Sequence, residues 1–98
     1  MKIKVLKSFK DKLNQQIEYI ARDKPHAARK FKTELLKRIT EISRMPYKNR
    51  KSIFFDRNDI RDLVYKGYIV VYKINQNENS IEIFGFTKFE NKPFKNQL

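Results

Sequence analysis

The sequence predicts an α+β fold, and three observations predict it. Helical periodicity is confined to the first half, where apolar residues recur three or four positions apart up to Ile42. Strand-like runs occupy the second half, from residue 52 onward. The links between those runs are short, so consecutive strands should lie side by side and antiparallel. The expected order is β-α-α-β-β-β-β: an N-terminal strand, an antiparallel two-helix hairpin, then a four-stranded antiparallel meander with the hairpin on one sheet face. Ninety-eight residues suit one domain, 1–98, with 87–98 as a basic C-terminal tail.

Lys2-Ile3-Lys4-Val5-Leu6 alternates before turning apolar, as a half-buried strand does. Ser8-Phe9-Lys10-Asp11 has the shape of a capping box with a short acid. Phe9, Leu13, Ile17 and Ile20 then form one stripe of a helix ending near Asp23. Pro25 suits the first turn of a second helix, where its missing N–H costs nothing. Ala28, Phe31, Leu35, Ile39 and Ile42 form that helix's stripe, widened by Leu36, and Met45-Pro46 stops it. The link between the helices is so short that they should pack as a hairpin.

The expected strands cover residues 52–55, 60–66, 68–74 and 80–86, separated by Asp56-Arg57-Asn58-Asp59, by Gly67 and by the polar loop 75–79. The third is apolar on both faces: Tyr68, Val70, Tyr72 and Ile74 on one, Ile69 and Val71 on the other. Such a strand is usually covered on both faces. The hairpin covers one. The tail, through Phe89 or Phe94, or a second protein would cover the other.

Composition narrows the function. Twenty-three Lys and Arg oppose eleven Asp and Glu, a net charge of +12, which favours polyanionic or acidic partners. There is no cysteine and a single histidine, which excludes disulfides, thiolate metal sites and His clusters. With two glycines, Gly67 and Gly85, there is no phosphate-cradling loop. No apolar run is long enough to cross a bilayer, and the charged N-terminus lacks a signal core. The expectation is a cytoplasmic protein with no cofactor, no metal and no membrane partner.

Two blocks carry a family likeness. Ala27-Ala28, Phe31, Leu35, Ile39, Ile42, Pro46 and Arg50 resemble the helix-to-loop signature of ParE-like toxins. Ile60-Arg61-Asp62-Leu63, then Gly67-Tyr68 running to Tyr72-Lys73-Ile74, is similar to a run shared across the RelE/ParE superfamily. The resemblance spans nearly the whole chain. It implies the toxin of a type II toxin–antitoxin (plasmid-stabilisation type) module, held inactive by a cognate antitoxin, here expected to be acidic. ParE-type members poison DNA gyrase by binding. RelE-type members are mRNA interferases that cut message on the ribosome. Where cutting members carry Arg after the Gly-Tyr pair, this chain has Ile69. Where they carry Arg and then Tyr in the tail, it has Lys88 and Phe94. The resemblance therefore favours a gyrase-binding poison over an endoribonuclease, with a non-toxic member that binds antitoxin or nucleic acid as a third alternative.

Lys48, Arg50, Lys51, Arg61 and Lys88 are the candidate contacts to a target or to nucleic acid. Ile69, Val71, Phe89 and Phe94 are the candidate antitoxin contacts. Should the chain cut RNA, Arg61, Lys88 and Arg50 would hold phosphate and Tyr65 would supply a hydroxyl. Arg61 has a competing structural role in pairing with Asp59 or Asp62, and Tyr47 one in packing over the sheet edge. His26, in a helix's first turn, has no orienting acid at a compelling spacing and reads as an exposed residue.

Overall fold

A computed structural model describes residues 1–88. The elements are β1 (Lys2–Val5), α1 (Lys7–Asp23), α2 (Pro25–Ile42), β2 (Arg50–Lys51), β3 (Ile60–Tyr65), β4 (Tyr68–Asn75) and β5 (Ser80–Lys88). This is the expected α+β order. The five strands form one sheet in the order β1-β5-β4-β3-β2. The last four strands make an antiparallel meander, and β1 joins it parallel to β5, with Lys2 opposite Ser80 and Val5 opposite Ile83. The sheet is therefore mixed. No helix among the described residues is long and apolar enough to cross a membrane.

The helical stripes are buried largely as their spacing requires. Phe9 and Leu13 of α1, and Ala28, Phe31, Leu35, Ile39 and Ile42 of α2, lie inside, while Ile17 and Ile20 are half-buried. Leu36 departs from the expected stripe and is exposed. Lys24 alone separates the helices, and Pro25 opens α2. The capping box does not form. β1 runs straight into α1, the Leu6 N–H bonds Ile83 O, and Ser8 falls inside the first turn. Its hydroxyl donates to Phe84 O at 3.3 Å, while Asp11 pairs with Lys7.

A strand over 52–55 does not form either. The ladder is confined to Arg50 and Lys51, opposite Asp62 and Arg61. After Ser52, whose N–H bonds Ile60 O, side chains outcompete the ladder. The Ile53 N–H donates to the Asp62 carboxylate at 3.0 Å, and the Phe54 N–H to Ser52 Oγ at 3.2 Å. The chain turns out into solvent there. Further on, Lys66 and Gly67 both take positive φ, +46° and +82°, as a two-residue hairpin turn matched to the twist of β3 and β4 requires. β5 extends to Lys88, so Thr87 and Lys88 belong to a strand rather than to the tail. The rest of that tail, with Phe89 and Phe94, lies outside the described residues.

One bulge sets which residues of β5 face the helices. Val71 lies opposite Gly85 and Tyr72 opposite Ile83, leaving Phe84 as the extra residue. A Cβ on Gly85 would lie 3.1 Å from Val71 Cβ, tighter than ordinary contact, so a side chain there would push the strands slightly apart. The bulge resets the alternation, and Ile81, Ile83 and Phe86 all join the helix-side core. Phe86 meets Phe9 edge-on at 5.7 Å and stacks on Tyr68 at 5.3 Å. The opposite sheet face carries a small cluster of Ile60, Ile69 and Val71, edged by Phe84.

Candidate target-binding face

The sheet edge formed by β2 and β3 is where functional candidates gather. Its frame is a hydrogen-bonded network built on Tyr72. The buried hydroxyl donates to Pro46 O at 2.6 Å and accepts from Asn49 Nδ2 at 3.2 Å. Burial, foremost, raises its pKa, so it remains a donor throughout the neutral range. Arg61 extends the frame. Its guanidinium donates to Asn49 O at 3.0 Å, Asn58 O at 3.0 Å and Asn58 Oδ1 at 2.6 Å, and lies 5.0 Å over the Tyr47 ring. It pairs with neither Asp59 nor Asp62. Instead it ties the loop after α2 to the loop before β3, using neutral oxygens. The Tyr47 hydroxyl accepts from Gln76 Nε2 at 3.0 Å, so Tyr47 caps the edge as a packing residue.

The neighbouring cations pair locally. Lys51 Nζ lies 2.9 Å from Asp56, and Arg57 grips Asp59 with two bonds of 3.0 and 2.7 Å. These cations hold the Asp56 and Asp59 carboxyls below their ordinary range, in each case first through the hydrogen bond. Arg50 lies 3.5 Å from Asp62, whose side chain is fully buried. Lys48 is exposed. The structure thus brings Lys48, Arg50, Lys51 and Arg61 together along one edge. An open polar cleft of 360 Å³ adjoins them, lined in part by Tyr47, Arg57, Asp59 and Lys73.

Lys88 and Tyr65 lie elsewhere. Lys88 is exposed opposite Tyr68, four residues along β4 from the Tyr72–Arg61 pairing, roughly 13 Å at strand rise. The Tyr65 hydroxyl donates to Glu34 Oε2 at 2.6 Å, with Lys66 Nζ 3.6 Å from the same oxygen. Burial first, and then the Glu34 contact, push the Tyr65 pKa up. The bond from Tyr65 is the main cause holding Glu34 low. That hydroxyl anchors β3 to α2 on the helix side. Arg61, Lys88, Arg50 and Tyr65 therefore do not converge on one point where a phosphate could react. His26, exposed, has Nδ1 2.7 Å from Arg29 Nη2 and takes no part. No group of three or more metal-ligating side chains occurs among the described residues.

Ile69 and Val71 are only 1% and 4% exposed. They are interior to the second cluster rather than a free apolar surface, because Ile60 and Phe84 close around them. The apolar groups that face solvent there are Val64, opposite Ile69, and the loop residues Ile53, Phe54 and Phe55, for which the sequence predicts a strand. The signal was present: three consecutive large apolar residues do not alternate as a half-buried strand must. Asp62 was also missed as an organiser. Its signal is an acid between Ile60 and Val64 on one otherwise apolar face of the strand.

Together these features define a small basic α+β protein with a hydrogen-bonded, cation-rich sheet edge, in which the candidate groups Arg50, Arg61, Lys88 and Tyr65 do not meet. Residues 3–88 match the model of the family described as the ParE toxin of type II toxin-antitoxin system, parDE. The chain belongs to that family, and the RelE/ParE resemblance read from its sequence holds. A search of curated proteins finds no match.

Proposed function

We propose that this toxin acts in the cytoplasm by binding and inhibiting DNA gyrase, and that a cognate acidic antitoxin neutralises it. The observation that carries this reading is the pairing of an exposed apolar loop with a basic edge whose polar groups are committed to structure rather than poised for chemistry. Lys48, Arg50 and Lys51 contact the target at this edge, Arg61 holds the edge in shape, and Lys88 adds positive potential from β5. A separate groove of 270 Å³, lined by Val5, Leu13 and Leu36 with Lys10 and Lys32 beside them, suits an acidic amphipathic antitoxin segment. The test is a supercoiling assay with purified gyrase. Stoichiometric toxin should inhibit it, and full activity at excess toxin rejects the target.

One observation favours a second reading, ribosome-dependent cleavage of mRNA: Lys48, Arg50, Lys51 and Arg61 lie along one edge, a concentration of positive charge that suits a nucleic-acid backbone. In that case message should be cut at codon boundaries in a translation extract. Intact message at excess toxin rules it out.

A further inference from the structure

We infer that residues 53–55 form the docking finger of this toxin, inserting into an apolar pocket rimmed by carboxylates on the folded target protein. The inference rests on the reading that the chain acts by binding, and it deepens that reading by naming the element and the chemistry of its partner surface. Ile53, Phe54 and Phe55 are 53%, 50% and 40% exposed, three adjacent large apolar side chains held in water. Such a cluster marks an interaction site rather than the scatter ordinary on surfaces.

The finger is built to stay in place. The Ile53 N–H is fixed by the Asp62 carboxylate, which is itself buried, and the Phe54 N–H by Ser52 Oγ. Ser52 is buried, and its own N–H bonds Ile60 O at 2.8 Å. The Phe55 ring meets Phe84 edge-on at 5.9 Å. A loop ordered before binding loses little entropy on docking, and aromatic anchors centred in a patch carry most interface energy.

Charge identifies the partner's chemistry. Residues 48–59 contain four cations, Lys48, Arg50, Lys51 and Arg57, against two acids. Those acids pair with Lys51 and Arg57, and Arg50 with the buried Asp62 of β3, which leaves a local excess of positive charge in a chain whose net charge is +12. A second copy would set these cations against each other, whereas a carboxylate rim would complement them. The finger also lies on the sheet face opposite the two helices, leaving the hairpin groove free for the antitoxin.

The experiment compares wild type, Ile53→Ser/Phe54→Ser, and Tyr19→Ser, which removes an exposed aromatic from α1. Each is assayed for growth arrest on expression in bacteria and for inhibition of purified gyrase, with thermal melting as the folding control. The double variant should melt within about 2 °C of wild type, since exposed positions contribute little stability. It should need at least tenfold more protein to inhibit gyrase and should lose growth arrest. Tyr19→Ser should keep both activities. Unchanged inhibition and arrest by the double variant would overturn the finger while leaving the gyrase reading intact. Wild type that arrests growth without inhibiting gyrase rejects that target, and the double variant's growth then decides the finger. Wild type inert in both assays overturns the finger and the toxin reading together. A wild-type dimer in sedimentation that the double variant dissolves would reassign the finger to self-association and overturn the proposal.

Discussion

On the helix side of β4, Val70, Tyr72 and Ile74 lie under the hairpin in a core that draws on α1, α2, β3 and β5. On the other side, Ile69 and Val71 share a cluster with Ile60 alone, edged by Phe84. Equal apolarity on the two faces of one strand therefore hides unequal construction. The helix side is closed by the two long helices packed across the sheet. The other side is closed by residues next to the finger and the basic edge, so its packing also sets how those groups are presented.

The comparison can be broken most directly at Leu35, which is fully buried beneath the sheet. Leu35→Ala should cost about 2–5 kcal/mol in urea unfolding, the range for a large-to-small change in a well-filled core. A loss below about 1 kcal/mol would mean that the hairpin is not the main source of stability. Tyr72→Phe comes next. It leaves Pro46 O without its donor and Asn49 without its acceptor, and should cost about 1–3 kcal/mol. Amide exchange in residues 46–50 should quicken more than in α1. On the second face, Ile69→Val should cost about 0.5–1.5 kcal/mol. If toxicity also falls while the melting temperature barely moves, that cluster supports presentation as well as stability. The smallest effect concerns acid. Glu34 is held below its ordinary pKa chiefly by Tyr65, so its contribution is present above the usual carboxylate range and lost as pH falls through the folded value. Tyr65→Phe should flatten the decline in stability between about pH 5 and pH 3, measured by urea titration at each pH. An unaltered slope would show that the bond contributes nothing to the linkage.

Much of the architecture was legible because periodicity is a strong signal. The stripes from Phe9 and from Ala28, the turn at Gly67 and the apolar run from Tyr68 to Ile74 all lie where spacing placed them. What escaped depended on contacts between distant residues. Ser8 fails as a cap because β1 is joined to Ile83, far along the chain. The loop 53–55 leaves the sheet because Asp62 captures its amide. The residue types of the basic edge could be read, but not their pairing. Arg61, readable as a target contact or as a partner of Asp59 or Asp62, meets two backbone carbonyls and an amide oxygen, a choice made by where the loop after α2 comes to rest.

The parallel pairing of β1 with β5 has a consequence for synthesis. Lys2 to Val5 are translated well before their partners, Ser80 to Ile83. The opening segment must wait, unpaired, while the hairpin and the meander assemble, and this long-range closure is the slow kind of contact to make. The sheet thus stays incomplete at its β1 edge until β5 has been made.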